Sequence, residues 1–273
     1  MNIKHINVVL LILCVFVFNA CVQDDVQIHD DVSPSVILVP KEENADSILY
    51  YNGKSIAIIG DSYSTYGGWI PSGYPTWYAI KDKDGCNKSS NDVNSVKQTW
   101  WWKLCYECGF QLLMNSSYSG STICYTGYNK SNVKYSSFIT RAQKDFGDNT
   151  DNPICPDIII VFGGTNDSWA DVPIGSLKYE DWTEDDLKSC LPSICYLYDY
   201  LVNHFQNAQI INITNYGLKN SITNGMKEAC NHYGIDNVIL NQFEKQSNHP
   251  SINGMEEIKN QIIESGYLSN GIK

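Results

Sequence analysis

The sequence predicts a doubly wound α/β fold in which helices cover both faces of a five-stranded parallel sheet, and three observations carry that prediction. Short apolar runs rich in Ile and Val alternate with longer segments of helical spacing over most of the chain. The run 157–162 holds Ile158, Ile159, Ile160 and Val161 in succession, and a strand buried on both faces needs no polar alternation. The chemically conspicuous polar residues follow the apolar runs directly, at the carboxyl ends of strands, where sheets of this kind form their sites.

The elements read in order as follows. A first strand spans 55–60 and stops at Gly60; a helix covers 97–109 and a second strand 111–114. The central strand lies at 157–162, then a helix at 184–206, a strand at 209–214, a helix at 219–233, a strand at 237–241 and a last helix at 251–265. Lys219-Asn220 and Pro250-Ser251 mark the starts of the last two helices. Trp100, Trp101 and Trp102 cannot share one helix face, so the spacing predicts at least one in the core and at least one exposed or in a lid.

A chain of 273 residues, 43% hydrophobic and 18% charged, suits one core. Before it, residues 1–20 carry a short basic start and an apolar run from Ile6 to Phe18, the layout of an export signal and too short for a membrane span. Ala20-Cys21 resembles a bacterial lipoprotein processing site, which implies acylation of Cys21 and an outer-membrane or cell-surface location. Val22-Gln23-Asp24-Asp25 resembles the acidic export tag of Bacteroidetes surface lipoproteins. Residues 21–48, rich in Asp, Glu, Ser and Pro, read as a flexible acidic tether, which leaves 49–273 as the folded domain.

The formal charge of −11 repels phosphate backbones and argues against nucleic acid as a partner. Of ten cysteines, Cys14 falls in the signal and Cys21 at the lipidation site. The eight others are even in number, as disulfides in an oxidising compartment require. Cys105-x-x-Cys108 has no second Cys or His pair at metal spacing, so it reads as buried helix cysteines or a disulfide rather than a metal site.

Four strand-end features form the candidate site. The first strand ends in Gly60-Asp61-Ser62, a serine presented at a turn after a glycine that permits an unusual backbone shape. The second leads into Ser119-Gly120-Ser121, whose glycine offers an unobstructed backbone N–H. The third leads into Gly163-Gly164-Thr165-Asn166-Asp167, which brings a side-chain amide to the same edge. Asn248-His249-Pro250 precedes the last helix. His204 and His232 lie on helical stretches and His29 in the tether, so His249 is the well-placed base.

In this order the features resemble the SGNH, or GDSL-like, hydrolase family over residues 54–268. The resemblance implies a flavodoxin-like three-layer fold and ester hydrolysis through an acyl-enzyme. Carried over by position, it implies Ser62 as nucleophile, His249 as base, and Ser62 N–H, Gly120 and Asn166 as oxyanion hole, with Gly164 and Asp167 at the other fixed positions. Trp69-Ile70-Pro71, Gln98-Thr99-Trp100-Trp101 and Ser119-Gly120-Ser121 are most similar to glycan-directed esterases of Bacteroidetes. One position departs from the pattern: the aspartate usual three residues before the histidine is Gln246. Either Glu244 or a main-chain carbonyl near Ser247 is left to orient the imidazole.

Between Ser62 and Ile80 the chain interleaves Tyr63, Tyr66, Trp69, Tyr74, Trp77 and Tyr78 with Gly and Pro. Rings with polar edges suit sugars, so Tyr63, Trp69, Tyr74, Trp77 and Trp169 are the candidate substrate contacts, although such rings also serve to cover a sheet end. The combined expectation is an esterase removing O-acetyl or similar groups from a polysaccharide or oligosaccharide. Alternatives are a lipase or arylesterase on hydrophobic esters, and a catalytically impaired glycan-binding lipoprotein. The mechanism needs no cofactor or metal.

Overall fold

A computed structural model of the chain describes residues 53–79, 91–147 and 153–269. The expected export signal 1–20, Cys21, the tether 21–48, the domain start at 49 and Cys86 lie outside the described residues. Strands β1 (Ser55–Gly60), β2 (Gln111–Ser117), β3 (Ile158–Gly163), β4 (Gln209–Thr214) and β5 (Asp236–Ile239) pair in parallel in the order β2-β1-β3-β4-β5. The chain winds outward from β1 to β2, then crosses back to β3 and continues the other way. This flavodoxin-like order opens a crevice between the carboxyl ends of β1 and β3.

Among the described residues six helices flank the sheet: α1 (Trp100–Cys108), α2 (Phe138–Arg141), α3 (Thr165–Trp169), α4 (Cys190–His204), α5 (Asn220–Tyr233) and α6 (Ile252–Glu264). Successive residues of a strand point to opposite faces, and β1 shows it. Ile56 and Ile58 join Trp100, Leu104, Met255 and Ile258 of α1 and α6, whereas Ala57 and Ile59 join Phe138, Leu197, Ile222 and Met226 of α2, α4 and α5. Ile158, Ile159, Ile160 and Val161 of β3 are fully buried, and truncating one of these isoleucines to Ala costs about 2–5 kcal/mol.

The differences from the sequence reading have local causes. The expected helix at 97–109 divides into a 3₁₀ turn, Val96–Gln98, and α1, because the Thr99 side chain caps the Trp102 N–H and starts a new helix. The expected helix at 184–206 forms only from Cys190, after a separate turn at Asp186–Lys188. All three tryptophans of α1 are buried, contrary to the expectation of an exposed one. Trp100 packs on Phe162 of the sheet, and Trp69, folded back from its loop, lies against Trp101 and Trp102. Cys105, Cys108, Cys124, Cys155, Cys190, Cys195 and Cys230 are free thiols, so the even cysteine count does not translate into disulfides among the described residues.

Candidate active site

Ser62 opens a 3₁₀ turn, Ser62–Ser64, directly after β1. Asp61 caps that turn by accepting the Tyr63 N–H at 3.0 Å. Gly60 is needed for space and not for an unusual φ: a Cβ there would lie 2.6 Å from Ser117 Oγ and 2.8 Å from the Ser64 side chain. Its neighbours therefore press the serine turn against β2.

His249 comes from a hairpin that the sequence reading did not foresee. Strands β6 (Lys245–Gln246) and β7 (His249–Pro250) pair antiparallel across Ser247 and Asn248, whose φ values of 51° and 63° are those of a type I′ turn. Nε2 of His249 lies 2.9 Å from Ser62 Oγ, and Nδ1 lies 3.0 Å from the Ser247 carbonyl oxygen. A carbonyl only accepts, so Nδ1 carries the proton and Nε2 is left to accept the Ser62 hydroxyl. Of the two orienters left open by the sequence, the main-chain carbonyl is the one in contact. Glu244 is not: its carboxylate is exposed and accepts from Asn253 Nδ2 at 3.1 Å. Gln246 exchanges two hydrogen bonds with Asp92, which also accepts the Ile252 N–H. Asn91 donates to the carbonyls of Gln246 and Pro250, clamping both strands of the hairpin, and the Tyr63 hydroxyl holds the Asn248 carbonyl.

Aromatic rings close round the imidazole. Trp77 stacks on it face to face, while Tyr63 and Trp169 meet it edge-on at 5.3 and 6.1 Å. Burial, with a smaller contribution from the Lys245 charge, lowers the His249 pKa to about 4, so the base is neutral over the ordinary pH range. Burial also raises Asp61 to about 6.

Across the crevice, Asn166 sits on α3, the short helix that follows β3. Its Nδ2 donates to the Ser121 carbonyl at 2.9 Å and its Oδ1 accepts the Tyr128 hydroxyl at 2.9 Å, which fixes the amide and leaves one N–H to spare. Among the described residues no acceptor engages the backbone N–H of Ser62 or Gly120. Gly120 has φ 83°, a conformation that suits glycine. Asp167 accepts the N–H groups of Ile123 and Cys124 and so ties the Gly120 loop to α3.

Beneath these loops lies Arg141, the chain's only arginine and fully buried. Its guanidinium donates to the Gly60 carbonyl and Ser121 Oγ at 3.0 Å each and to the Ser116 carbonyl, joining the end of β1, the end of β2 and the Gly120 loop. Burial lowers its pKa to about 10. The fork geometry is what three acceptors on separate elements require; a lysine could not span them.

The expected substrate rings divide. Tyr63 is fully buried beneath His249, so it supports the base and does not face solvent. Trp69 covers α1, Tyr74 donates to Asp145, and Trp77 gives one face to the imidazole. Trp169 is 44% exposed beside His249. Arg141, Tyr128, Asn91 and Asp92 escaped the sequence reading. Only Arg141 carried a usable signal, a solitary arginine within the apolar stretch Phe138-Ile139-Thr140-Arg141-Ala142.

The winding of the sheet and a serine hydrogen-bonded to a neutral, buried imidazole at its switch point define an α/β ester hydrolase. Comparison with known proteins agrees. The GDSL-like Lipase/Acylhydrolase family matches residues 54–265, and the chain belongs to that family. A GDSL-like lipase from Bacteroides uniformis shares 46% identity and superposes with a TM-score of 0.72, over 78% of this chain and 94% of its own. One from Bacteroides ovatus shares 44% at a TM-score of 0.71, over 77% and 96%. A carbohydrate esterase with divergent catalytic and non-catalytic binding functions shares the fold at 15% identity and a TM-score of 0.56, over 81% and 70%. No curated protein matches.

Proposed function

We propose that the protein removes small O-acyl groups, acetyl foremost, from a polysaccharide or its fragments, with Ser62 as nucleophile and His249 as general base. As Ser62 Oγ bonds to the acyl carbon, its proton passes to His249 Nε2. The sugar oxygen then leaves with that proton, and water, activated by the same imidazole, releases the acid and restores Ser62. Ser62 N–H, Gly120 N–H and Asn166 Nδ2 receive the negative oxygen, and losing one such donor costs about 100- to 1,000-fold in rate.

The carbohydrate part of the reading rests on the rim. Trp169, Tyr128 and Tyr216 are 44%, 41% and 46% exposed, and each follows a different strand at its carboxyl end. Exposed rings with polar edges pack on the C–H faces of sugars. The description of the 44–46% identical relatives as lipases favours a second reading, hydrolysis of long acyl esters. Residues 1–25 support export and lipid anchoring at Cys21 as part of the proposal.

The test is a pair of rates, on acetylated xylan oligomers and on long-chain 4-nitrophenyl esters, with fluorophosphonate labelling located by mass spectrometry. Preference for the sugar ester, with a Ser62 adduct that disappears in Ser62→Ala, is the expected result. Preference for the long-chain ester establishes the second reading. A folded protein that binds glycan but neither labels nor turns over is a binding protein.

A further inference from the structure

Lys245 stands beside the proposed base and has no part in acyl transfer. It sits on β6, and its ammonium lies over two ring faces, 5.4 Å from the centre of Tyr63 and 4.7 Å from that of Phe243. The Tyr63 ring in turn lies 5.3 Å from His249 and 6.3 Å from the exposed Trp169. The cation therefore lies near the base, and its charge acts on His249.

Its ammonium has no protein hydrogen-bond acceptor among the described residues. Lys103, Lys134, Lys178, Lys188, Lys219 and Lys259 each meet a carboxylate within ion-pair distance, whereas among the described residues none meets Lys245; Lys97, Lys130, Lys144 and Lys227 share that lack but are exposed to water, and Lys245 is not. This is so in a chain with 30 Asp and Glu residues. Asp61, the carboxylate that acts on Lys245 through space, is fully buried; its Oδ1 accepts the Tyr63 N–H, its Oδ2 has no hydrogen-bond partner, and neither oxygen lies within ion-pair distance of the ammonium. Ring faces attract an ammonium through their quadrupole but give its three N–H groups no acceptor. Lys245 is half-buried, and burial lowers its pKa, so a missing acceptor weighs more than it would on an open surface. A carboxylate arriving with the substrate supplies both the acceptor and the counter-charge.

We propose that Lys245 receives the carboxylate of an acidic sugar, so that the esters presented to Ser62 are borne by uronic acid-containing glycans. This rests on the carbohydrate reading above and narrows it to a substrate class.

The experiment compares acetylated methyl glucuronide with acetylated methyl glucoside, which differ only in carboxylate against hydroxymethyl, using the full chain. The native protein is expected to favour the glucuronide by about tenfold in kcat/KM, the scale of one charge-assisted contact. Lys245→Met should bring the ratio near one, and Lys245→Arg should keep part of it. Raising the salt from about 0.02 to 0.5 M should shrink the preference in the native protein, a readout that needs no variant to fold. A native preference for the glucoside, or a ratio unmoved by Lys245→Met, overturns the proposal. If neither sugar ester is turned over, the carbohydrate reading fails, and competition against 4-nitrophenyl acetate decides Lys245 by itself. Inhibition by methyl glucuronide that exceeds that by methyl glucoside and weakens about tenfold in Lys245→Met supports the anion site, and equal inhibition by the two removes it.

Discussion

The indole of Trp77 lies flat on the imidazole of His249, with ring centroids 3.6 Å apart and planes 8° from parallel. Among the described residues no carboxylate bonds to that imidazole; its Nδ1–H goes to the neutral Ser247 carbonyl. As the ring takes the serine proton it becomes a cation, and the indole face is placed to stabilise it by about 0.5–2 kcal/mol. Trp77→Ala should therefore lower kcat on 4-nitrophenyl acetate by about tenfold, with Trp77→Phe between the two. A kcat unchanged in Trp77→Ala would leave the stack as packing only.

The depressed pKa of His249 sets the acid limit of activity. The group is protonated only below about pH 4, so kcat/KM should hold through pH 6.5 and fall with an apparent pKa near 4. A limb at 6.5 in the pH profile would falsify the burial argument for the base.

Asp61 gives a stability prediction of definite sign. Its folded pKa, about 6, exceeds the ordinary 3.8, so it favours folding below 3.8 and loses that contribution as pH rises through 6. His249 runs the other way, since its folded value lies below 6.5; its contribution is complete above 6.5 and is lost as pH falls through about 4. Asp61→Asn removes the first effect while keeping an oxygen for the Tyr63 N–H. Relative to the native protein, the variant should gain about 2–3 kcal/mol between pH 4 and pH 8 by denaturant unfolding. A gap between the two proteins that stays constant with pH would show that Asp61 titrates normally.

Arg141→Lys keeps the buried charge but cannot reach Gly60, Ser116 and Ser121 at once. If the guanidinium aligns the oxyanion donors, kcat should fall about 10- to 100-fold with KM little changed, because the donors matter most once the negative oxygen forms. Equal losses in kcat and thermal stability across Arg141→Lys and Arg141→Gln would instead mark a purely structural residue.

Glu244→Gln and Asn91→Ala separate the two ways of holding the base. The first should leave kcat/KM within about twofold, since the Glu244 side chain reaches Asn253 and not His249. The second frees carbonyls on both strands of the hairpin, and a drop of about tenfold is expected, from a hydrogen bond's worth of about 1–1.5 kcal/mol. The opposite ranking in steady-state kinetics would restore Glu244 as orienter.

The sheet was legible because its strands contain short apolar runs between segments of helical spacing, and burial on both faces leaves its mark on every residue from Ile158 to Phe162. Ser62, Gly120, Asn166 and His249 were legible because each follows a strand or precedes a helix. What stayed hidden depends on contacts between distant segments. Asn91 and Gln246 are 155 residues apart, and Arg141 meets Gly60 across 81. The two-residue strands β6 and β7 have no periodicity to read, and no glycine marks their Ser247–Asn248 turn. The tryptophan triplet misled because helix geometry sees one partner surface, whereas a loop carrying Trp69 supplied a second.

The hairpin turn also determines what a mutational survey of this protein can find. The group that accepts the hydrogen bond from the imidazole Nδ1–H is the Ser247 carbonyl, which every amino acid possesses. Alanine at Ser247 leaves that oxygen in place, and no side-chain replacement deletes it. A scan would therefore report no third member of a catalytic triad. Only an atom-level change to the chain, such as an ester in place of the peptide bond between Ser247 and Asn248 to weaken the carbonyl as an acceptor, would bring that partner into view.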